Sequence, residues 1–387
     1  MKHIIILIDG MADQAYKALN NKSPIQAADT PTLDAWAKGS QVGLVKTIPE
    51  GLPASSDVAN LGLLGYDPLV YHRGRSGFEA TYMGLDLEDE NYLYRCNLIT
   101  LSDHDCLADK VIIDPSGGMI AEDQGRQLME DLIGAISPPY GSFYANKAYK
   151  HMWSSPQGTY DSPGPHDLLG RPIKELELGP WQGFYEAAHD FLDRHPINKD
   201  RQARGLLKAN GLWVWGKSQV SNLPSFKSLY HKKALLIGST ELILGMAQVM
   251  DMDWERVPSG DLKAKGQRVI DRLAAYDFIY LHLEEGDEAS HAGLLEKKVQ
   301  IMSDIDKEIL GPLNEHLGQE APYRVMVLPD HYTPVSLRSH LDLPVPYLIH
   351  DSNQTRRGIL EWGETIDRET GQYYSNGPDL LKAFLEE

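Results

Sequence analysis

Asp287 and His291 stand four residues apart in the run Asp287-Glu288-Ala289-Ser290-His291. On a helical turn that spacing puts both side chains on one face, where they can share a metal ion. Asp330 and His331 close the apolar run that starts at Val325, and His340 follows nine residues after His331. In an extended chain adjacent side chains point to opposite sides, so Asp330 and His331 can serve two different ions. Asp9 ends the apolar run that starts at Ile4. Each is weak alone, because a strand-end aspartate also caps helices and a histidine is commonly structural. Together, an oxygen and nitrogen ligand set at one sheet edge is what a two-metal phosphoryl site needs.

Ser56 is the candidate nucleophile. It precedes a helical apolar run closed by Gly65, so its hydroxyl sits at a helix N-terminus. One reading is an N-cap serine. The other uses the same geometry: backbone N–H groups and the positive end of the helix dipole attract an anion, and a nearby metal would acidify the hydroxyl.

These residues need a scaffold that brings strand ends together. Ile4 to Ile8, Ala234 to Gly238, Phe278 to Leu283, Val325 to His331 and Val345 to His350 read as buried strands. Thr240 to Met250, Leu262 to Ala275 and Leu294 to Leu310 read as helices between them, and Glu284 to Asp287 as a charged loop. The pattern predicts an α/β fold, a mostly parallel sheet with helices on both faces and ligands at the carboxyl ends of its strands. The middle of the chain differs. Tyr92 to Leu101 and Lys110 to Ile113 read as strands, Glu122 to Ile136 as an amphipathic helix, and Ser142 to Trp153 as one or two further strands. This is a smaller α+β insert, placed at 88–190, with 1–87 and 191–387 forming the core domain.

Composition excludes several function classes. The 387 residues carry 37 Lys and Arg against 55 Asp and Glu, a net charge of −18. Nucleic-acid binding needs clustered cations and is not expected. No segment approaches the ~20 apolar residues of a membrane span. The five-residue apolar run near the N-terminus is cut by Asp9, so it does not read as a signal peptide. Cys96 and Cys106 are expected to be buried thiols, and the protein cytoplasmic.

The motifs occur in an order that resembles the archaeal-type cofactor-independent phosphoglycerate mutases of the alkaline phosphatase superfamily. The resemblance rests on Ile6 to Gly10, Ser56 to Asn60, Leu64 to Pro68, Gly77 to Ala80, Arg95 to Thr100, Pro165 to Asp167, Val214 to Gly216, Asp287 to His291 and Pro329 to Pro334. It implies interconversion of 3- and 2-phosphoglycerate through a phosphoserine on Ser56, without 2,3-bisphosphoglycerate and without a nucleotide. It also implies two divalent ions, one held by Asp9, Ser56, Asp330 and His331 and the other by Asp287, His291 and His340. Mixed O/N ligands fit Mn or Zn better than Mg. The substrate is a small phosphorylated carboxylic acid, and the insert caps it. Arg73, Arg75, Arg95, Lys150 and His151 are the candidate substrate-binding residues, with Gly74 and Gly77 letting the backbone approach an anion. Two departures from the family pattern bear on substrate identity: the shorter Ser259 to Lys263 loop and the acidic Glu284-Glu285-Gly286 before Asp287. A metal-dependent phosphatase, or another phosphotransferase of homoserine-kinase type, is the alternative on the same core.

Overall fold

The computed structural model describes residues 1–387 except 86–90, 161, 177, 319–321, 355, 357, 360, 367–371 and 387. Its strands are β1 (Lys2–Ile8), β2 (Gln41–Val45), β3 (Tyr92–Leu101), β4 (Ile112–Asp114), β5 (Ser142–Tyr144), β6 (Lys150–Ser155) and β7 (Gly211–Gln219). They continue with β8 (Ala234–Gly238), β9 (Asp253–Arg256), β10 (Phe278–Leu283), β11 (Tyr323–Leu328), β12 (Val345–Asp351) and β13 (Gln372–Tyr374). The chain divides into two compact units, 1–72 with 221–387, and 73–220.

The first unit is built on an eight-stranded sheet in the order β13-β2-β12-β11-β1-β10-β8-β9. Its centre is parallel: β1 pairs with both β10 and β11, and β8 with both β10 and β9. β12 runs antiparallel to β11 and β2. β1 is buried along Ile4 to Ile8, β10 and β11 along their whole lengths. A strand buried on both faces has to be apolar throughout, which is why these segments show no alternation. Because β1, β10 and β11 are parallel neighbours, the residues after them (Asp9, Glu284 to His291, and Asp330 with His331) emerge at one sheet edge.

Strand β11 stops at Leu328, three residues before the expected end at His331, and Pro329 follows without an N–H to continue the ladder. Asp330 and His331 are therefore free of the strand's alternation. The expected loop at Glu284 to Asp287 is the first turn of a helix, Glu285–His291.

The second unit carries an antiparallel sheet, β4-β3-β6-β5, with β7 on β3. It is larger than the expected 88–190. Strand β7 pairs along β3 from Tyr92 to Ile99, and the helix Ser76–Tyr82 is tied to β7 where Gly77 N donates to Ser218 Oγ at 2.9 Å. Pairing across that sequence distance pulls 73–85 and 191–220 into the insert. The expected boundary at 87–88 lies outside the described residues. Its core holds the fully buried Trp153, Trp181 and Trp213. Cys96 is buried there, but Cys106 is exposed, contrary to expectation; both are free.

Candidate metal centre

Ser56 is the first residue of the helix Ser56–Leu63, and Ser55 holds the N-cap position without a side-chain cap bond. The N-cap alternative for Ser56 therefore does not hold. Its Oγ points to the sheet edge, 3.2 Å from His331 Nε2 and 3.5 Å from Asp9 Oδ2. Gly65 takes φ +86 and lets the chain turn back after the helix.

Asp287, His291 and His340 offer ligand atoms within 4.8 Å of one another, and so do Asp9, Asp287 and His331. Asp287 thus belongs to both groups and links the two expected ligand sets. Asp330 and His331 do not diverge: Asp330 Oδ2 lies 3.3 Å from His331 Nε2. Asp330 is also held on both oxygens by the protein. Its Oδ1 accepts from Gly10 N and His331 N, each at 2.9 Å, and its Oδ2 from Asn60 Nδ2 at 3.1 Å.

The histidines are all turned the same way. His291 Nδ1 meets the Arg338 carbonyl at 2.9 Å, His340 Nδ1 the Ala54 carbonyl at 3.0 Å, and His331 Nδ1 the Thr333 hydroxyl at 3.1 Å. A carbonyl only accepts, so Nδ1 carries a proton in the first two, and Nε2 is the nitrogen left to meet a metal ion or take a second proton. Those two Nε2 atoms face each other at 2.9 Å, each 3.3 Å from an Asp287 oxygen. Two imidazole Nε2 atoms and a carboxylate converging on one point, each ring backed by an acceptor at Nδ1, is the pattern that metal-bound histidines show, and these residues fit a cation there.

The electrostatics say the same. Burial, then Asp330 and Asp287, push the Asp9 carboxyl well above its ordinary range, and Asp9 Oδ1 is buried without a hydrogen-bond partner among the described residues. Burial opposes charge on His340, but its contact with Asp287 outweighs this and raises its pKa to about 9. Burial likewise works against the Asp287 carboxylate, yet His291 and His340 hold it far below the usual range. The cluster carries more negative charge than its own side chains comfortably balance, and divalent ions fit it.

Several residues around the centre escaped sequence reasoning. Asn60 joins the Ser56 carbonyl at 2.8 Å to Asp330, and receives Tyr280 OH on its Oδ1 at 2.6 Å. The readable signal was an asparagine four residues after Ser56 in an apolar helix. His282 Nε2 lies 3.2 Å from Asp9 Oδ2. Lys265, fully buried, donates to Glu284 Oε2 at 2.9 Å and Glu285 Oε1 at 2.7 Å. Gly260 N donates to the same Glu285 oxygen at 2.9 Å. The acidic turn thus anchors a buried ion-pair network, and the short 259–263 loop meets it through the Gly260 N–H. No single-residue pattern signals a partnership between a helix face and a strand end that lie far apart in the chain.

In the second unit, Arg75 and Arg95 flank one carboxylate. Arg75 Nη2 is 3.0 Å from Glu79 Oε1 and Arg95 Nε is 3.2 Å from Oε2. Burial pushes the Glu79 carboxyl up, but Arg95, Arg75 and Lys150 outweigh it and its pKa falls below the ordinary range. The Arg95 guanidinium also lies 4.6 Å over the Trp215 ring. Arg73 is bound through its backbone, its carbonyl accepting from Gln219 N at 2.9 Å.

Two expectations for this unit change. His151 is 2% exposed, and burial lowers its pKa to about 3, so it is a neutral core residue and not a cation offered to a substrate. Gly74 and Gly77 have no room for an anion. A Cβ at Gly74 would meet the Lys217 carbonyl at 2.8 Å, and one at Gly77 the Gln219 carbonyl at 2.3 Å. These glycines let two backbone segments touch.

A family model for the Metalloenzyme superfamily matches residues 1–382. The chain is similar to the 2,3-bisphosphoglycerate-independent phosphoglycerate mutase of Methanosarcina barkeri, 34% identical over 99% of this chain and 97% of the relative. It is similar to the enzyme of the same name from Methanothrix thermoacetophila, 32% identical over the full length of both. Among solved structures, the PH0037 protein from Pyrococcus horikoshii superposes with TM-score 0.80 at 24% identity, over 99% of this chain and 97% of that one. That likeness concerns the fold. Among the described residues no helix is long and apolar enough to cross a membrane.

Proposed function

We infer the activity of this chain from the family to which it belongs: it is a member of the Metalloenzyme superfamily and, within it, of the 2,3-bisphosphoglycerate-independent phosphoglycerate mutases, and it isomerises 3-phosphoglycerate and 2-phosphoglycerate. The finer reading is a divalent-metal enzyme that works through a phosphoserine on Ser56. The observation that carries it is the position of Ser56 Oγ, 3.2 Å from His331 Nε2 and 3.5 Å from Asp9 Oδ2. A serine outside the ligand cluster would have no means of activation; here the hydroxyl is one of the groups surrounding it.

Asp9, Ser56, Asp330 and His331 would hold one ion and Asp287, His291 and His340 the other, with the donor set favouring Mn or Zn. Bound ions of this kind supply Lewis-acid stabilisation of the serine oxygen and of the phosphoryl oxygens. Ser56 Oγ attacks the substrate phosphorus, the P–O bond to the glycerate hydroxyl breaks, and that hydroxyl recovers a proton. The glycerate turns, and its other hydroxyl attacks the phosphoserine, restoring Ser56. Arg75, Arg95 and Lys150 gather around Glu79 and are assigned to the acid groups of the substrate; Arg73 is assigned the same role. The acidic turn at Glu284 and Glu285 has its own cation in Lys265, so it gives no reason to move the substrate away from phosphoglycerate.

The test is a mutase assay with inorganic phosphate release followed in parallel, on wild type and Ser56→Ala. Isomerisation without phosphate release, abolished in the alanine variant, is the expected result. Phosphate release alone would identify a phosphatase, and an active Ser56→Ala would remove Ser56 as nucleophile.

A further inference from the structure

We propose that Thr333 is a positioning residue that fixes the metal-binding tautomer of His331 and couples the two ion sites. The inference rests on the two-ion reading above. Thr333 is fully buried, two residues beyond His331. Its hydroxyl touches one member of each ligand group: it donates to Asp287 Oδ1 at 2.9 Å and meets His331 Nδ1 at 3.1 Å. A hydroxyl has one proton. With that proton given to the carboxylate, the oxygen can only accept from His331, so Nδ1 carries the hydrogen and Nε2 keeps its lone pair. Nε2 is the atom that faces Ser56 Oγ at 3.2 Å, Asp330 Oδ2 at 3.3 Å and Asp9 Oδ1 at 3.6 Å.

His291 and His340 hand their Nδ1 protons to backbone carbonyls, which pass nothing on. His331 alone among these three ends on a side chain that is itself oriented by a ligand of the other group. Occupation of the Asp287 site therefore orders the hydroxyl that orders His331, and the reverse. The backbone of Thr333 is held to keep this geometry: its carbonyl accepts from buried Lys298 Nζ at 3.0 Å and its N–H donates to the Ala12 carbonyl at 3.0 Å. The space is exclusive, since a Cβ at Gly10 would lie 2.7 Å from Thr333 Oγ1 and 2.5 Å from Asp287 Oδ1.

The test measures zinc and manganese affinity by chelator competition on the full chain, for wild type, Thr333→Val and Thr333→Ser. Thr333→Val keeps the shape and loses the hydroxyl; we expect both ions to bind about 10- to 100-fold more weakly, as for other lost outer partners of a metal ligand. Thr333→Ser restores the hydroxyl, and its affinities should return to within about threefold of wild type. A valine variant that binds like wild type, or a serine variant as weak as valine, overturns the proposal. Ring-nitrogen NMR of wild type, metal-free and zinc-loaded, decides it even if the valine variant does not fold. His331, assigned by the signal lost in His331→Gln, should carry its proton on Nδ1, and a proton on Nε2 refutes the role of Thr333. Wild type that binds no divalent ion would instead refute the two-ion reading, a different outcome from unchanged binding in Thr333→Val.

Discussion

His151 ties the stability of the second unit to pH in a way that can be worked out in advance. The ring is buried on β6, its Nδ1 accepts from Asn146 N at 3.0 Å, and burial lowers its pKa from 6.5 to about 3. In the unfolded chain the same imidazole takes a proton near the ordinary value. Between those two values the unfolded state binds a proton that the folded state refuses, so folding stability rises with pH across the window. The contribution is complete above the ordinary value, falls as pH drops through it, and is fully lost near the folded one. At about pH 5 the cost is about 1.5 pH units at 1.36 kcal/mol each, or about 2 kcal/mol. Denaturant unfolding at about pH 7.5 and about pH 5, followed by tryptophan fluorescence, reads it, because Trp153, Trp181 and Trp213 are buried in this unit. His151→Asn keeps an acceptor for the Asn146 N–H and cannot titrate. The stability lost on acidification should be about 2 kcal/mol smaller in the variant than in wild type. Equal losses would mean that the folded protein protonates His151 freely, and the description of a neutral buried ring would be wrong. The same variant should keep its KM for phosphoglycerate within about twofold at neutral pH. A large rise would restore the substrate contact expected from the sequence.

Lys265→Met leaves Glu284 and Glu285 buried without their cation. It should cost about 3–5 kcal/mol in unfolding experiments, and adding Glu285→Gln should recover part of that loss; additive effects would show that the three groups are not coupled. Gly10→Ala places a Cβ against Asp287 and Thr333 at a residue whose φ is +61. It should weaken metal binding by at least about tenfold while the second unit unfolds as in wild type, and unchanged affinity would contradict the crowding. Chelation should abolish isomerase activity. Added manganese or zinc should raise the melting temperature of wild type and Ser56→Ala alike, by about 2.7 kcal/mol of stability at a hundredfold excess over Kd; a shift confined to wild type would make Ser56 indispensable for holding the metal.

The sheet was legible because its strands are buried on both faces. Phe278 to Leu283 and Ala234 to Gly238 have no polar alternation to blur their ends, and the structure places these strands at the same residues. The convergence of Asp9, Asp287, His291, Asp330, His331 and His340 was legible for a related reason. Parallel neighbours put their carboxyl ends on one edge, which brings Asp9, Asp330 and His331 near one another, while the helix after β10 and the loop before β12 carry Asp287, His291 and His340 to the same place. The insert boundary was not legible, because β7 joins β3 across more than a hundred residues and nothing local at Gly211–Gln219 announces the partner. His151 was misread because a position beside exposed Lys150 says nothing of burial, and β6 is buried continuously from His151 to Ser155. Gly74 and Gly77 were misread because glycine marks close approach without naming what approaches.

Charge explains why this centre calls for ions from outside. Two fully buried lysines lie near it, and either could in principle neutralise the Asp9, Asp287 and Asp330 carboxylates. Neither is available. Lys265 is bound to Glu284 and Glu285, and Lys298 to Asp13 Oδ2 at 2.9 Å and the Thr333 carbonyl. His282, whose contacts with Asp9 and Glu284 overcome burial and raise its pKa to about 10, stands between Lys265 and the centre and spends its charge on both. The acids that the sequence adds before Asp287 thus hold an internal ammonium away from the ligand atoms, and the Nε2 atoms of His291 and His340 stay turned toward that space. Beyond the histidines themselves, divalent ions are the source of positive charge that this unit's cluster fits. A phosphorylated acid approaching a chain of net charge −18 meets a cluster of carboxylates unless those ions are already in place. On electrostatic grounds metal binding is therefore expected to precede substrate binding, and phosphoglycerate bound equally tightly after chelation would refute that order.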